Sequence, residues 1–254
     1  MRLDVDDLPL HYEVYGDGRP IVFLPRWGDQ LSENRDLHEP VFANRPGWQR
    51  IYLDPPGHGQ TPGRPWIKGL EGFQEVVQRF VDEVVGDRRF VLAGASAGSL
   101  MARGVLRDRF DRVDGVLLRV PGVILDPEQR TLPPEQPGVL DSETYQAAYK
   151  LKKDQYYDPA EQAADLDFLA SVTGDLGKST YNVDNLSRPF EAPALIVAGR
   201  QDTATGYVDP WRLLPDYPRA TYVVLDRADH DLPVLQDALY HALVADWLNR
   251  IEEP

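Results

Sequence analysis

The sequence contains no cysteine, so disulfide bridges, a thiol nucleophile and thiolate metal ligands are all excluded. Positive charge is scarce: 27 Lys and Arg stand against 41 Asp and Glu, a formal charge of −14. Nucleic-acid affinity comes largely from clustered Lys and Arg, so a nucleic-acid partner is disfavoured, and an anionic membrane surface for the same reason. No apolar run is long enough to cross a bilayer, because the longest, Val113 to Leu125, is interrupted by Asp114, Arg119 and Pro121. The start, Met1-Arg2-Leu3-Asp4-Val5-Asp6-Asp7, is acidic and lacks the apolar segment of a secretory signal. A cytoplasmic protein is the expectation.

What is present points to one large α/β domain with room for an inserted lid: 254 residues, 42% of them apolar. Leu10-Tyr15 alternates as a half-buried strand, and Ile21-Val22-Phe23-Leu24 is apolar throughout, as a strand covered on both faces should be. Ile51-Asp54, Phe90-Ala93, Gly115-Val120, Ala194-Ala198 and Ala220-Leu225 read as further strands. Between them Leu70, Phe73, Val76, Val77, Phe80, Val81, Val84 and Val85 recur at helical spacing, and a last helix runs from about Val234 to Ile251, with Leu235, Leu239, Leu243 and Trp247 four apart. Strands alternating with helices predict a doubly wound, mostly parallel sheet covered on both faces. The rhythm fails between Gly122 and Ala192, where helical fragments at Ser142-Lys153 and Pro159-Val172 suggest an inserted helical cap. Residues 1–121 and 193–254 are then the core and 122–192 the cap. Tyr145, Tyr149, Tyr156 and Tyr157 in this stretch are candidates to line a substrate cleft, or to pack as ordinary amphipathic helix residues.

Gly94-Ala95-Ser96-Ala97-Gly98 matches Gly-x-Ser-x-Gly directly after an apolar strand. A strand that reverses into a helix within two residues needs small neighbours, since a side chain at 94 or 98 would meet the backbone folding over it. A serine hydroxyl needs a general base, and imidazole, with a pKa of about 6.5, suits the task. Of five histidines, His11, His38 and His241 lie within strand or helix patterns, and His58 is a possible pocket residue at a strand end. His230 stands in a polar loop after Thr221-Leu225, where a parallel sheet opens its ligand-binding edge. The imidazole must be oriented by a carboxylate; Asp202, emerging from the strand Leu195-Ala198, fits, and Asp126 is the alternative acid.

The order Ser, Asp, His is that of the α/β-hydrolases, which the chain resembles over nearly its whole length. Asp54-Pro55-Pro56-Gly57-His58-Gly59-Gln60-Thr61 is similar to that superfamily's Asp-x-x-Gly-x-Gly-x-Ser loop, and Ala228-Asp229-His230-Asp231-Leu232-Pro233 to its Gly-His-x-x-Pro segment. The resemblance implies Ser96 as nucleophile, Asp202 as orienting acid and His230 as base beneath a helical lid. It places one oxyanion donor at the amide of Ala97 and the other in the loop after Ile21-Leu24. Where many members read His-Gly, this chain reads Pro25-Arg26-Trp27-Gly28. Proline has no amide hydrogen, so by position Trp27 is the expected second donor. Arg26 is either a solvent-facing loop charge or a reader of a substrate carboxylate.

A serine nucleophile disfavours the Asp-dependent epoxide hydrolases and haloalkane dehalogenases. The expected activity is hydrolysis of an ester, thioester or lactone of a small to medium organic acid through an acyl-enzyme on Ser96. C–C bond hydrolysis, perhydrolysis and non-hydrolytic cyclisation on the same fold are alternatives, as is a ligand-binding protein that retains the triad. Gly16-Asp17-Gly18 lacks the third glycine of a dinucleotide fingerprint, no Walker loop occurs, and His38-Glu39 has no second histidine four residues after the first. No metal or organic cofactor is implied, and the expected partner is a small-molecule substrate; spacing alone fixes neither that substrate nor the oligomeric state.

Overall fold

Apolar residues on both sides of a strand require cover on both sides. The strands β1 (Arg2–Val5), β2 (Leu8–Tyr15), β3 (Arg19–Leu24), β4 (Trp48–Leu53), β5 (Phe90–Ala95), β6 (Val113–Arg119), β7 (Ala194–Gly199) and β8 (Ala220–Leu225) form one sheet in the order β1-β2-β4-β3-β5-β6-β7-β8. The pairs β1·β2 and β2·β4 are antiparallel and the others parallel. The computed structural model describes residues 1–134, 138, 140–174 and 176–253.

The pleat of β5 separates the two layers. Phe90 and Leu92 face the core under α2 (Gly69–Val85) and α3 (Ala97–Asp108), while Val91 and Ala93 face α1 (Leu31–Phe42) and α7 (Asp237–Glu252). The stripe read from the sequence in α2 is the buried one, and the helix stops at Gly86, whose φ of +64° suits a residue without Cβ. α7 departs from its expected stripe: the buried residues are Tyr240, Val244, Trp247, Leu248 and Ile251, and Leu239 is exposed. A strict four-residue step drifts off a face that turns every 3.6 residues, so Leu235 and Leu239 fall outside it. β1 was not expected from its acidic sequence; it is a four-residue edge strand held by pairing with β2.

Between β6 and β7 no strand occurs among the described residues. α4 (Glu143–Lys152), a π turn (Lys153–Tyr157), α5 (Asp158–Ala163) and α6 (Leu166–Thr173) follow one another. The expected single helix at 159–172 is two, because the Asp165 carboxylate accepts from the Phe168 amide (3.1 Å) and starts α6 afresh. Phe168, Leu169 and Val172 of α6 join the α2 side of the core. Of the stretch 122–192, residues 135–137, 139 and 175 lie outside the described residues, as does Pro254 at the chain's end. No helix among the described residues is long and apolar enough to cross a membrane.

Candidate active site

β5 ends at Ala95 and α3 begins at Ala97, which leaves Ser96 alone to reverse the chain, at φ 52° and ψ −115°. That conformation is rare for a residue with a Cβ and costs on the order of 1–3 kcal/mol. Close packing holds it: a Cβ at Gly94 would stand 2.2 Å from the Gly98 carbonyl oxygen, and one at Gly98 would stand 2.2 Å from that of Leu24. The Ser96 amide donates to the carbonyl of Arg119 at the end of β6 (2.9 Å), and the Ser99 hydroxyl donates to the Gly94 carbonyl (2.7 Å).

Asp202 and His230 reach Ser96 from the ends of β7 and β8. Gly199 lets their loops meet, since a Cβ there would stand 2.5 Å from the carbonyl oxygens of Ala228 and Asp229. His230 Nε2 lies 2.8 Å from Ser96 Oγ, and His230 Nδ1 lies 2.9 Å from Asp202 Oδ2. Asp202 is fully buried; the amides of Ala204 (2.8 Å) and Thr205 (2.9 Å) donate to Oδ1, and the Thr205 hydroxyl donates to Oδ2 (2.8 Å). Burial pushes its pKa up, but the hydrogen bonds and the His230 ring outweigh burial and hold it below the ordinary aspartate value. The carboxylate therefore stays ionised beside the imidazole. Asp126, the alternative acid, instead accepts from the Glu128 amide (3.0 Å) and the Gln129 side chain (2.7 Å).

The loop after β3 crosses over the elbow. Its Gly28 amide donates to His58 Nε2 (3.0 Å), while His58 Nδ1–H donates to the Pro56 carbonyl (2.8 Å). His58 is fully buried, and burial pulls its pKa down to about 4, so the ring is a neutral acceptor toward Gly28. Asp54, at the head of the same turn, accepts from the amides of Leu31 (2.7 Å) and Gln60 (3.0 Å) and pairs with His11 (2.8 Å). Two sides of the loop are thus fastened to one knot. Among the described residues, neither the Trp27 nor the Ala97 amide has a protein acceptor.

A cavity of about 240 Å³ opens beside Ser96 and His230, walled by Trp27, Leu70, Phe73, Leu100, Met101 and Ile124. Arg26, Tyr145, Tyr149, Tyr156 and Tyr157 do not line it. Arg26 is drawn away by carboxylates: it pairs with Asp231 and with Asp29 (3.3 Å) and lies 4.4 Å over the ring of Tyr157. Tyr145 and Tyr149 stack on each other, with centroids 6.3 Å apart, and the Tyr156 hydroxyl donates to Asp36 (3.1 Å). Tyr157 of the insertion is thus joined through Arg26 to Asp231, beside His230, and Tyr156 to α1. The charge at the cavity wall belongs to Arg130.

Arg119 also bears on the site, although in the sequence it marks only a break in an apolar run. Its carbonyl accepts from Ser96, and its guanidinium donates to both carboxylate oxygens of Glu33 (2.8 and 2.6 Å) and to the Leu232 carbonyl (2.9 Å), two residues after His230. An arginine closing the apolar end, Val116-Leu117-Leu118, of a buried parallel strand is itself a signal, because a buried guanidinium requires a partner.

The alpha/beta hydrolase family profile matches residues 21–245. The chain is similar to a pimeloyl-[acyl-carrier protein] methyl ester esterase of Legionella pneumophila (strain Corby), 25% identical over 87% of this chain and 91% of that one. Among solved structures it is similar to an alpha/beta superfamily hydrolase from Oenococcus oeni PSU-1, with a TM-score of 0.83, 23% identity, and 96% and 97% of the two chains covered. A thermophilic esterase from Thermogutta terrifontis superposes with a TM-score of 0.71 at 16% identity over 100% of both chains. With the profile spanning most of its length, the chain belongs to the alpha/beta hydrolase family.

Proposed function

We propose that this protein is a cofactor-independent serine hydrolase that cleaves an ester, thioester or lactone of a small to medium organic acid. The observation that carries the reading is the chain Ser96 Oγ, His230 Nε2, His230 Nδ1, Asp202 Oδ2, with links of 2.8 and 2.9 Å, set beside an apolar cavity. His230 takes the Ser96 proton as Oγ attacks the carbonyl carbon, and Asp202 stabilises the imidazolium that forms. The oxyanion accepts hydrogen bonds from the amides of Ala97 and Trp27. Pro25 has no amide hydrogen and the Gly28 amide is already engaged with His58, which supports Trp27 as the second donor. Collapse expels the alcohol or thiol with a proton from His230 and leaves an acyl-enzyme on Ser96. Water, deprotonated by His230, attacks the acyl carbon; the second tetrahedral species releases the acid and returns the proton to Ser96. Residues 122–192 act as a cap that limits water access to this site.

Esters of graded chain length with a chromogenic leaving group provide the test. Wild type should release a burst of alcohol stoichiometric with enzyme where deacylation limits turnover, and Ser96→Ala should lower kcat by roughly 10⁴-fold or more. Turnover undiminished in Ser96→Ala refutes the mechanism. Saturable binding with no turnover in wild type favours a ligand-binding role.

A further inference from the structure

Apart from the candidate catalytic groups, Arg130 is, among the described residues, the one ionisable cation at the wall of the cavity beside Ser96. Its Nε, Nη1 and Nη2 donate to the backbone carbonyls of Ile124 (2.9 Å), Ala204 (2.9 Å) and Leu125 (3.0 Å). A guanidinium carries five N–H groups, so one hydrogen on each Nη is left over. Among the described residues no carboxylate lies within ion-pair distance of it. The acidic groups near enough to act on its charge are engaged elsewhere: Asp202 with His230, Asp126 with Glu128 and Gln129, and Asp209 with the Thr131 amide. Burial pulls the Arg130 pKa below the ordinary arginine value, whereas in Arg26 and Arg119 burial is outweighed, by Tyr157, Asp29 and Asp231 around Arg26 and by Glu33 beside Arg119, and both are raised. A cation half withdrawn from water, fixed by neutral carbonyls and facing an apolar cavity, has no direct ion pair among the described residues, and Asp202, Asp126 and Asp209 offset its charge only from a distance. The arginine expected to read a carboxylate, Arg26, already holds two of the protein's own.

Resting on Ser96 as the acylating nucleophile, we propose that Arg130 selects esters carrying a second, free carboxylate. The simplest such substrates are monoesters of linear dicarboxylic acids. The apolar wall of Leu70, Phe73, Leu100 and Met101 suits the methylene chain between the two ends, and the planar guanidinium presents its remaining hydrogens to the carboxylate.

The test uses matched pairs of monomethyl dicarboxylates and methyl alkanoates of equal chain length, across short to medium chains, with wild type, Arg130→Gln, Arg130→Lys and Ser96→Ala. Wild type should favour the anionic member in kcat/KM by about 10-fold or more at its best length, the range of a charge-assisted hydrogen bond. Arg130→Gln should abolish that preference while keeping turnover of the neutral ester, and Arg130→Lys should restore part of it. A wild-type ratio at or below one at every length overturns the proposal. Equal losses on both esters in Arg130→Gln also overturn it, since they would make Arg130 only a clamp between the 124–125 and 204 backbones. Calorimetric binding to Ser96→Ala separates the two readings. Anion-selective binding abolished in a Ser96→Ala/Arg130→Gln protein, with no ester cleaved by wild type, sustains the carboxylate site and rejects the hydrolase reading.

Discussion

The imidazole of His58 fixes a backbone amide before any substrate arrives. With Nδ1–H donated to Pro56, Nε2 can only accept, and it accepts from Gly28, the residue after Trp27. His58→Gln, which keeps an acceptor near that position, should retain most of kcat. His58→Leu should lower kcat by about 10- to 100-fold with little change in KM, part of what loss of an oxyanion donor costs. The same residue makes a pH prediction. Its folded pKa is depressed from 6.5 to about 4, so between those values the unfolded chain binds more protons and stability falls as pH falls. Full stabilisation is present above pH 6.5, and about 3 kcal/mol should be lost by pH 4. Urea denaturation across this window should show His58→Gln losing less stability than wild type by about that amount; parallel curves would contradict the assignment.

At the level of elements, the carboxyl end of β6 ties the elbow to the histidine loop. Arg119 joins Ser96 through its carbonyl and Leu232 through its guanidinium, with Glu33 of α1 as counter-ion. Arg119→Met leaves the buried Glu33 carboxylate with the Lys152 amine, 3.9 Å away, as its remaining ion pair among the described residues and should cost about 3–5 kcal/mol. Arg119→Met/Glu33→Met should regain much of that stability, yet kcat should stay low because the Leu232 carbonyl has lost its donor. Full recovery of kcat in the double variant would reduce the pair to a core contact. How much of these elements was legible follows from what sequence patterns encode. β3, β5, β7 and α2 stood out because burial imposes period and composition. β1 did not, since a short edge strand is held by its partner's hydrogen bonds rather than by apolar residues. Ser96, Asp202 and His230 were legible as candidates because each ends a strand at one sheet edge. The direction of Arg26 and of Tyr156 was not, because Asp231 and Asp36, far from them in sequence, draw them aside. Arg130 was hidden for the same reason: spacing does not say which of two loop arginines meets a carboxylate.

Over the whole molecule the charge of −14 sets the field through which any substrate approaches. An anionic ester meets net repulsion outside the cavity, whereas the half-buried Arg130 is screened less than the surface. Raising ionic strength from about 10 to 150 mM should therefore increase kcat/KM for an anionic ester a few-fold and leave its neutral isostere nearly unchanged. A decrease for the anionic ester would show that the local cation dominates the approach. None of this matters unless Ser96 is the reacting atom. Intact-protein mass spectrometry after a fluorophosphonate probe, followed by peptide mapping, addresses that point most directly. One adduct per chain on the peptide containing Ser96, absent in Ser96→Ala and strongly slowed in His230→Ala, is the result expected; unmodified wild type, or an adduct that persists in Ser96→Ala, would contradict it.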